Sequence, residues 1–378
     1  MQAERDTDLP AWARWRNAAE EPAWTVGLEE EVMLLDEDAA LAYRSDEVLE
    51  VLSQGLRPHV SPETHGSALE IKTDPHASTD AAVTQLRELR AQLAAELAPM
   101  ALRAAVAGTH PLAVWQETEL SHGARYQRLY GSMRELARRE PTFALHVHVA
   151  VGDPETAVGV MARLRAHLPL LLALSANSPF WQGRDSGLAS VRTPLFQAFP
   201  RVGIPRPFRG YRHYVEVVDL LVRSEAIPDP SYLWWDVRLQ PSLGTVEVRI
   251  MDAQTQVEDS AALLGLVRAL VVAEIRAPAP PDALHDGPEV LSENRFLAAR
   301  DGMDAFLIDT TVGSRRPARE LLAETLAFCR PAAAALGCEP ALDAAARLGK
   351  ATGADRQRER ATGGDKLPGV MAMLIADF

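Results

Sequence analysis

Apolar and polar residues alternate with period two in five short stretches of this chain, and helical patterns lie between them. From Val26 to Leu34 the even positions Val26, Leu28, Val32 and Leu34 are apolar, broken only by Glu30, while the odd ones include Gly27, Glu29 and Glu31. Glu70 opposes Leu69 and Ile71, and from Phe143 to Val151 every odd residue is apolar while His146 and His148 point the other way. Glu247 and Arg249 oppose Val246, Val248 and Ile250, and Asp236 and Arg238 oppose Trp235, Val237 and Leu239. Each stretch predicts a strand with one buried face and one face carrying Glu, His or Arg. The simplest assembly is an α+β fold: one curved, largely antiparallel sheet, helices packed behind it, chemistry on the open face.

The helices have recognisable starts. Ser78 or Thr79 caps a helix over Asp80–Leu97 that stops near Pro99. Asp153 as N-cap, Pro154 at the first helical position and Glu155 in the first turn open another, expected to run to about Ala176. Asp259 opens a third to Arg276, and Pro317 a fourth over Ala318–Leu336. Two punctuated stretches stand out, Ala277–Asp282 and the Pro/Arg/Phe-rich Pro194–Pro207.

With 378 residues, 47% of them hydrophobic, the chain can bury a sizeable core. No repeat or long linker divides it, so residues 1–378 are expected to form a single catalytic domain with 1–22 as an N-terminal extension. The 39 basic and 52 acidic residues leave a net charge of −13, which argues against a nucleic-acid partner. Two cysteines are too few for a disulfide framework or a structural zinc site. The first 24 residues carry no signal-peptide core, and no apolar run approaches the roughly 18–20 residues of a membrane span. A cytoplasmic protein with no membrane partner is expected.

Two carboxylates at i and i+2 on a strand lie about 6.5–7 Å apart. Adding Glu63, Glu70 and Glu247 to one cleft is costly unless cations are present. Oxygen-rich sites suit Mg²⁺, and an imidazole tilts the choice towards tolerance of Mn²⁺. Two such ions beside several arginines are the apparatus of phosphoryl transfer. Each motif alone also fits something plainer: a solvated strand edge for Glu29–Glu31, a structural His-x-His, a surface charge pair for Glu247 and Arg249, loop charges for Arg192 and Arg201. Their coincidence on strands whose other faces are apolar favours a site.

The stretch Thr25-Val26-Gly27-Leu28-Glu29-Glu30-Glu31 resembles the opening strand of the carboxylate–amine ligases, also called type-2 glutamate–cysteine ligases. The resemblance continues through Glu70-Ile71-Lys72-Thr73, Ala107–Pro111, His146–Val149, Leu174–Trp181, Gly187–Arg192, Thr245–Asp252, Glu293-Asn294-Arg295 and Ala354–Arg358. It implies a glutamine synthetase-like catalytic domain, with ATP and divalent ions, Mg²⁺ or Mn²⁺, in a sheet funnel. It further implies that Glu31, Glu63 and Glu70 hold a metal near the acceptor carboxylate, and Glu29, His146 and Glu247 a metal on the ATP phosphates. His148 is placed near the phosphates, Arg249 on the transferring phosphoryl group, Arg238 as a second phosphate contact and Arg192 on the amino-acid carboxylate.

The implied reaction phosphorylates a substrate carboxylate and lets a small amine displace the phosphate, by default joining L-glutamate and L-cysteine. Water exclusion during that sequence points to Pro194–Pro207 and Gly353–Gly364 as closing segments. A phosphagen-type guanidino kinase, a zinc hydrolase and a non-catalytic nucleotide- or metal-binding relative are the alternatives. The first would yield no amide and the second would need no nucleotide. No coiled-coil seam speaks to assembly, so a homodimer stays open.

Overall fold

The computed structural model describes residues 9–16, 23–139, 141–278, 287–362 and 366–378. Most of the expected N-terminal extension, the end of the 277–282 punctuation and Gly363–Gly364 lie outside them. Seven strands form one sheet: β1 (Val26–Leu35), β2 (Val60–Pro62), β3 (Ala68–Lys72), β4 (Arg103–Ala105), β5 (Ala144–Ala150), β6 (Val237–Gln240) and β7 (Thr245–Asp252). Their order is β6-β7-β5-β1-β3-β2, with β4 also paired to β1, and every pairing is antiparallel. The sheet is open rather than closed into a barrel, as the period-two pattern requires when one face is packed and the other carries polar side chains.

The apolar face is covered by helices. Val257–Arg276 runs behind β1 and β5 and packs against Thr79–Leu97, Ala318–Leu336 and Glu339–Leu348. Its residues 262–273 are all buried, so it is the central helix of the core. Ser78 caps Thr79–Leu97 by accepting from Ala81 N, as its sequence predicts. The helix expected over 154–176 is broken: Pro154–Leu164 and Leu168–Ser175 are separate and bent by 65°. Pro169 is the reason, since it lacks the N–H that would bond one turn back and its ring clashes there. The third predicted helix starts two residues early, at Val257 after Gln256. Among the described residues no single helix is long and apolar enough to cross a membrane.

Glu30 occupies an even position of β1 and therefore points into the packed side, where it is fully buried. Arg90 of helix Thr79–Leu97 meets it with two 2.7 Å bonds, Nε to Oε2 and Nη2 to Oε1. Arg90 also donates to the carbonyls of Gln254 and Thr255, at 2.7 Å each. Glu29, Glu30 and Glu31 are thus not one acidic stripe: alternation sends the middle carboxylate into the core and the outer two to the open face.

Several stretches of the family resemblance prove to be scaffold. Asp252, at the end of β7, accepts from Asn177 N, Ser178 Oγ and Ser190 Oγ at 2.7–2.9 Å. Gly108 passes so close that a Cβ there would lie 2.7 Å from the Asp252 carboxyl carbon. Gly353–Ala361 is a helix with a Thr352/Asp355 capping box, and Gln357 donates to Asn177 Oδ1 at 2.8 Å. The described part of this segment is thus a helix packed on the body rather than a loop. Arg295 is likewise taken up by buried Asp236, at 2.7 Å. Residues 9–16 pack on the body as well, where Trp15 donates to Val151 O and Tyr211 donates to Ala13 O.

Candidate active site

On the open face the register brings the polar residues into direct opposition. Glu29 pairs with His146 on one side and Lys72 on the other, and Glu31 pairs with Glu70. His148 lies opposite Glu247, and Glu247 opposite Arg238. A one-residue bulge between Val248 and Met251, against Val147 and Leu145, falls where Arg249 leaves β7. Bulges re-aim side chains in this way beside functional sites. Glu63 follows β2, and Arg192 begins the short helix Arg192–Phe196. Glu29, Glu31, Glu63, Glu70, His146, Arg192, Arg238 and Arg249 line one cavity of about 440 Å³, while His148 and Glu247 lie buried beside it.

Three sets of potential ligand atoms each lie within 4.8 Å of one another: Glu31, Glu63 and Glu70; Glu29, Glu70 and His146; Glu29, His148 and Glu247. The first is the set implied by the resemblance. The second expected set, Glu29, His146 and Glu247, is partitioned differently, because Glu247 groups with His148. His146 still approaches both, with Nδ1 3.3 Å from Glu29 Oε2 and 4.0 Å from Glu247 Oε1. His148 Nε2 is 3.6 Å from Glu29 Oε2 and 3.8 Å from Glu247 Oε1. Its Nδ1 is 3.0 Å from Thr245 Oγ1, and its Nε2 is buried with no hydrogen-bond partner.

The two ends of the cavity differ electrostatically. Burial would raise Glu247, but Arg238, Arg249 and His148 outweigh it and hold the carboxyl well below its usual range. Arg238 contacts it twice, at 2.9 and 3.1 Å, Gln240 adds a bond at 2.9 Å, and Arg249 Nη1 also donates to it. Glu29 is held low against its burial by His148 and His146. At the other end, burial outweighs Arg192 and, with Glu70 adding to it, pushes Glu31 up to about 7. Burial, Glu70 and Glu31 raise Glu63 well above the usual range, and burial with Glu29 raises Glu70 against the pull of Lys72. Burial and Arg249 lower His146 to about 3, so its imidazole is neutral at pH 7. A neutral imidazole among crowded carboxylates and an orphaned buried nitrogen is a donor set that fits a hard divalent cation.

Arg192 donates to Ile250 O at 3.1 Å and lies 3.6 Å from Asp252, while its Nε and that of Arg249 are buried without a hydrogen-bond partner. Several lining residues lay outside the sequence argument: Arg125, Tyr126, Leu129, Met133, Phe199, Tyr232, Trp234, Gln240 and, as a site residue, Lys72. Lys72 was legible in principle, two residues beyond Glu70 on the same strand face. Tyr126, Leu129 and Met133 share a helix face that only tertiary packing turns towards the sheet.

An open antiparallel sheet backed by helices is a fold also seen in solved enzymes. The chain superposes on a glutamate–cysteine ligase from Francisella tularensis, solved in complex with AMP, with a TM-score of 0.73 at 13% identity, over 94% of this chain and 88% of that one. A bifunctional glutathione synthetase from Pasteurella multocida gives 0.68 at 14% identity, over 93% of this chain and 52% of that one. Residues 25–366 match glutamate–cysteine ligase family 2, and the chain belongs to that family and is a ligase. "Putative glutamate--cysteine ligase 2-1" of Rubrobacter xylanophilus is 38% identical over 339 residues, 89% of this chain and 90% of that protein. "Putative glutamate--cysteine ligase 2-3" of the same organism is 40% identical over 345 residues, 89% of this chain and 92% of that protein.

Proposed function

We propose that this protein, acting as one catalytic domain, is an ATP-dependent carboxylate–amine ligase, with glutamate and cysteine as the first pair to test. The observation that supports it best is the polarity of the cavity. Arginines and imidazoles hold Glu247 and Glu29 low at one end, while burial and neighbouring carboxylates raise Glu31, Glu63 and Glu70 at the other. Glu31, Glu63 and Glu70 would hold one divalent ion, Mg²⁺ or Mn²⁺, and Glu29 and Glu247 with the imidazoles a second. Such ions neutralise the charge of phosphates and of an acceptor carboxylate, which otherwise repel each other.

The chain's own residues carry the rest. Arg249, anchored on Glu247 and presenting a free Nε, stabilises the transferring phosphoryl group, with His148 and Arg238 alongside the phosphates. Arg192, buried and pinned by Ile250 O, orients the amino-acid carboxylate. An acceptor oxygen attacks the γ-phosphorus and ADP leaves. The amine nitrogen then attacks the acyl carbon, the carbon–oxygen bond to phosphate breaks, and the nitrogen's proton leaves with the released phosphate. Phe196 and Phe199 of the 194–207 segment line the cavity beside this chemistry and would exclude water from it.

The test is ADP release from ATP and Mg²⁺ with L-glutamate and each amine in turn, with mass analysis of the products. Amine-dependent ADP with a condensed mass is expected. ADP without an amide would favour a kinase, and binding of ATP without turnover would favour a non-catalytic relative.

Metal binding should depend on pH with a defined sign. In the folded protein Glu31, at about 7, and Glu63, higher than normal, keep protons that an unfolded chain would have released. Folded-state protonation then exceeds unfolded, so the contribution of Glu31 to stability is lost as pH rises through 7, and that of Glu63 changes in the same direction. His146 and His65, at about 3 and about 4, act in the opposite sense, but only below the usual histidine range. Because a divalent ion must displace the carboxyl protons, Mn²⁺ affinity is expected to fall as pH drops below 7, by about tenfold per unit for each proton displaced. Titration calorimetry between pH 6 and 8 measures it, and a flat profile would count against the ligand assignment.

A further inference from the structure

The carboxylates of the cavity differ in how firmly their cationic partners are held. Glu247 is held by Arg238, whose guanidinium is itself tied to the carbonyls of Ser231 and Leu233 at 3.2 and 3.0 Å. Arg249 is anchored on Glu247. Glu29 and Glu70, by contrast, share Lys72: its Nζ lies 2.6 Å from Glu70 Oε1 and 3.8 Å from Glu29 Oε1. These two carboxylates also belong, with His146, to one of the three potential ligand sets. The ammonium therefore competes for the oxygens a divalent ion would use.

The side chain that brings this charge in is able to take it away. Lys72 sits directly across from Glu29 in the β1–β3 register and two residues beyond Glu70, so its Cα is fixed beside both. Its side chain is 42% exposed, against 7% for Glu70. A lysine is a compact point charge on a flexible stem, whereas the site's arginines are held as rigid forks by several acceptors. Swinging Nζ out breaks one short ion pair and leaves the ammonium in water at the cavity rim.

We propose that Lys72 is a tethered counter-cation of Glu29 and Glu70 that a divalent ion must displace, so that it sets how tightly this position binds metal. The inference rests on the reading that the carboxylate sets bind divalent ions. Lys72 keeps the empty site folded without metal and weakens the hold on a free ion.

Mn²⁺ titrated calorimetrically into the full-length protein without nucleotide tests it, using the wild type, Lys72→Met and Lys72→Arg. Methionine keeps the length of the stem and removes the charge; arginine keeps the charge. Lys72→Met is expected to bind Mn²⁺ at least tenfold more tightly than the wild type, and to melt at a lower temperature in chelator but not in saturating Mn²⁺. Lys72→Arg is expected to stay within about threefold of the wild type, which controls for a merely structural effect. Equal or weaker binding by Lys72→Met, with the wild type binding normally, would overturn the role of Lys72 alone. No Mn²⁺ binding by any of the three would overturn the metal reading and this inference with it.

Discussion

Arg249→Ala is expected to lower ADP release by about a thousandfold while leaving the protein folded. Arg249 emerges at the β7 bulge, donates to Glu247, lies 3.3 Å from His146 Nδ1 and keeps a buried Nε with no partner. A preorganised charge of this kind acts where charge develops in the transition state, in a cavity sheltered from water. Truncation does not strand Glu247, because Arg238 still supplies two bonds and Gln240 a third. Steady-state ADP release together with thermal unfolding would measure both halves. A variant with near-normal turnover would sink the assignment, and one that unfolds would show Arg249 to be structural.

Arg90→Met is expected to do the reverse, destabilising the fold by about 3–5 kcal/mol through loss of a buried ion pair. It would leave the Glu30 carboxylate buried, with Ser260 Oγ donating to it from 3.3 Å. Four bonds at 2.7 Å tie Arg90 to Glu30 and to the carbonyls of Gln254 and Thr255. They join helix Thr79–Leu97 to the sheet and to the start of the central helix. Removing both charges in Glu30→Met/Arg90→Met should recover most of the loss, because no unpaired charge then remains in the core. Denaturant unfolding of the two single variants and the double variant would show it. Equal losses for single and double variants would mean that the carbonyl contacts, rather than the pair, hold the helix.

Strand alternation divides the consecutive glutamates 29–31 between chemistry and architecture, and the division was half legible. Strict alternation already placed Glu30 on the apolar side of β1, but a carboxylate there reads as an interruption until its partner is known. Arg90 is 60 positions away and carries no motif, so only packing of helix Thr79–Leu97 on the sheet identifies it. The same holds for Pro169: the apolar run through it looks like one continuous helix, and backbone sterics make it two.

The sequence by itself determined five of the seven strands, their two unlike faces and the carboxylates, imidazoles and guanidinium groups those faces carry, because strand periodicity is local. It also carried the family. What only the tertiary structure decided were relations between strands. Cross-strand register set Lys72 against Glu29 and Glu31 against Glu70, the bulge set the exit of Arg249, and Glu247 was grouped with His148. Tertiary packing also turned the apolar face of helix 124–133 into the cavity and tied Ala354 and Gln357 of the Ala354–Arg358 motif into the scaffold. Register and helix docking depend on contacts between residues far apart in the chain, and a period read along one strand contains no information about which residue stands across from it.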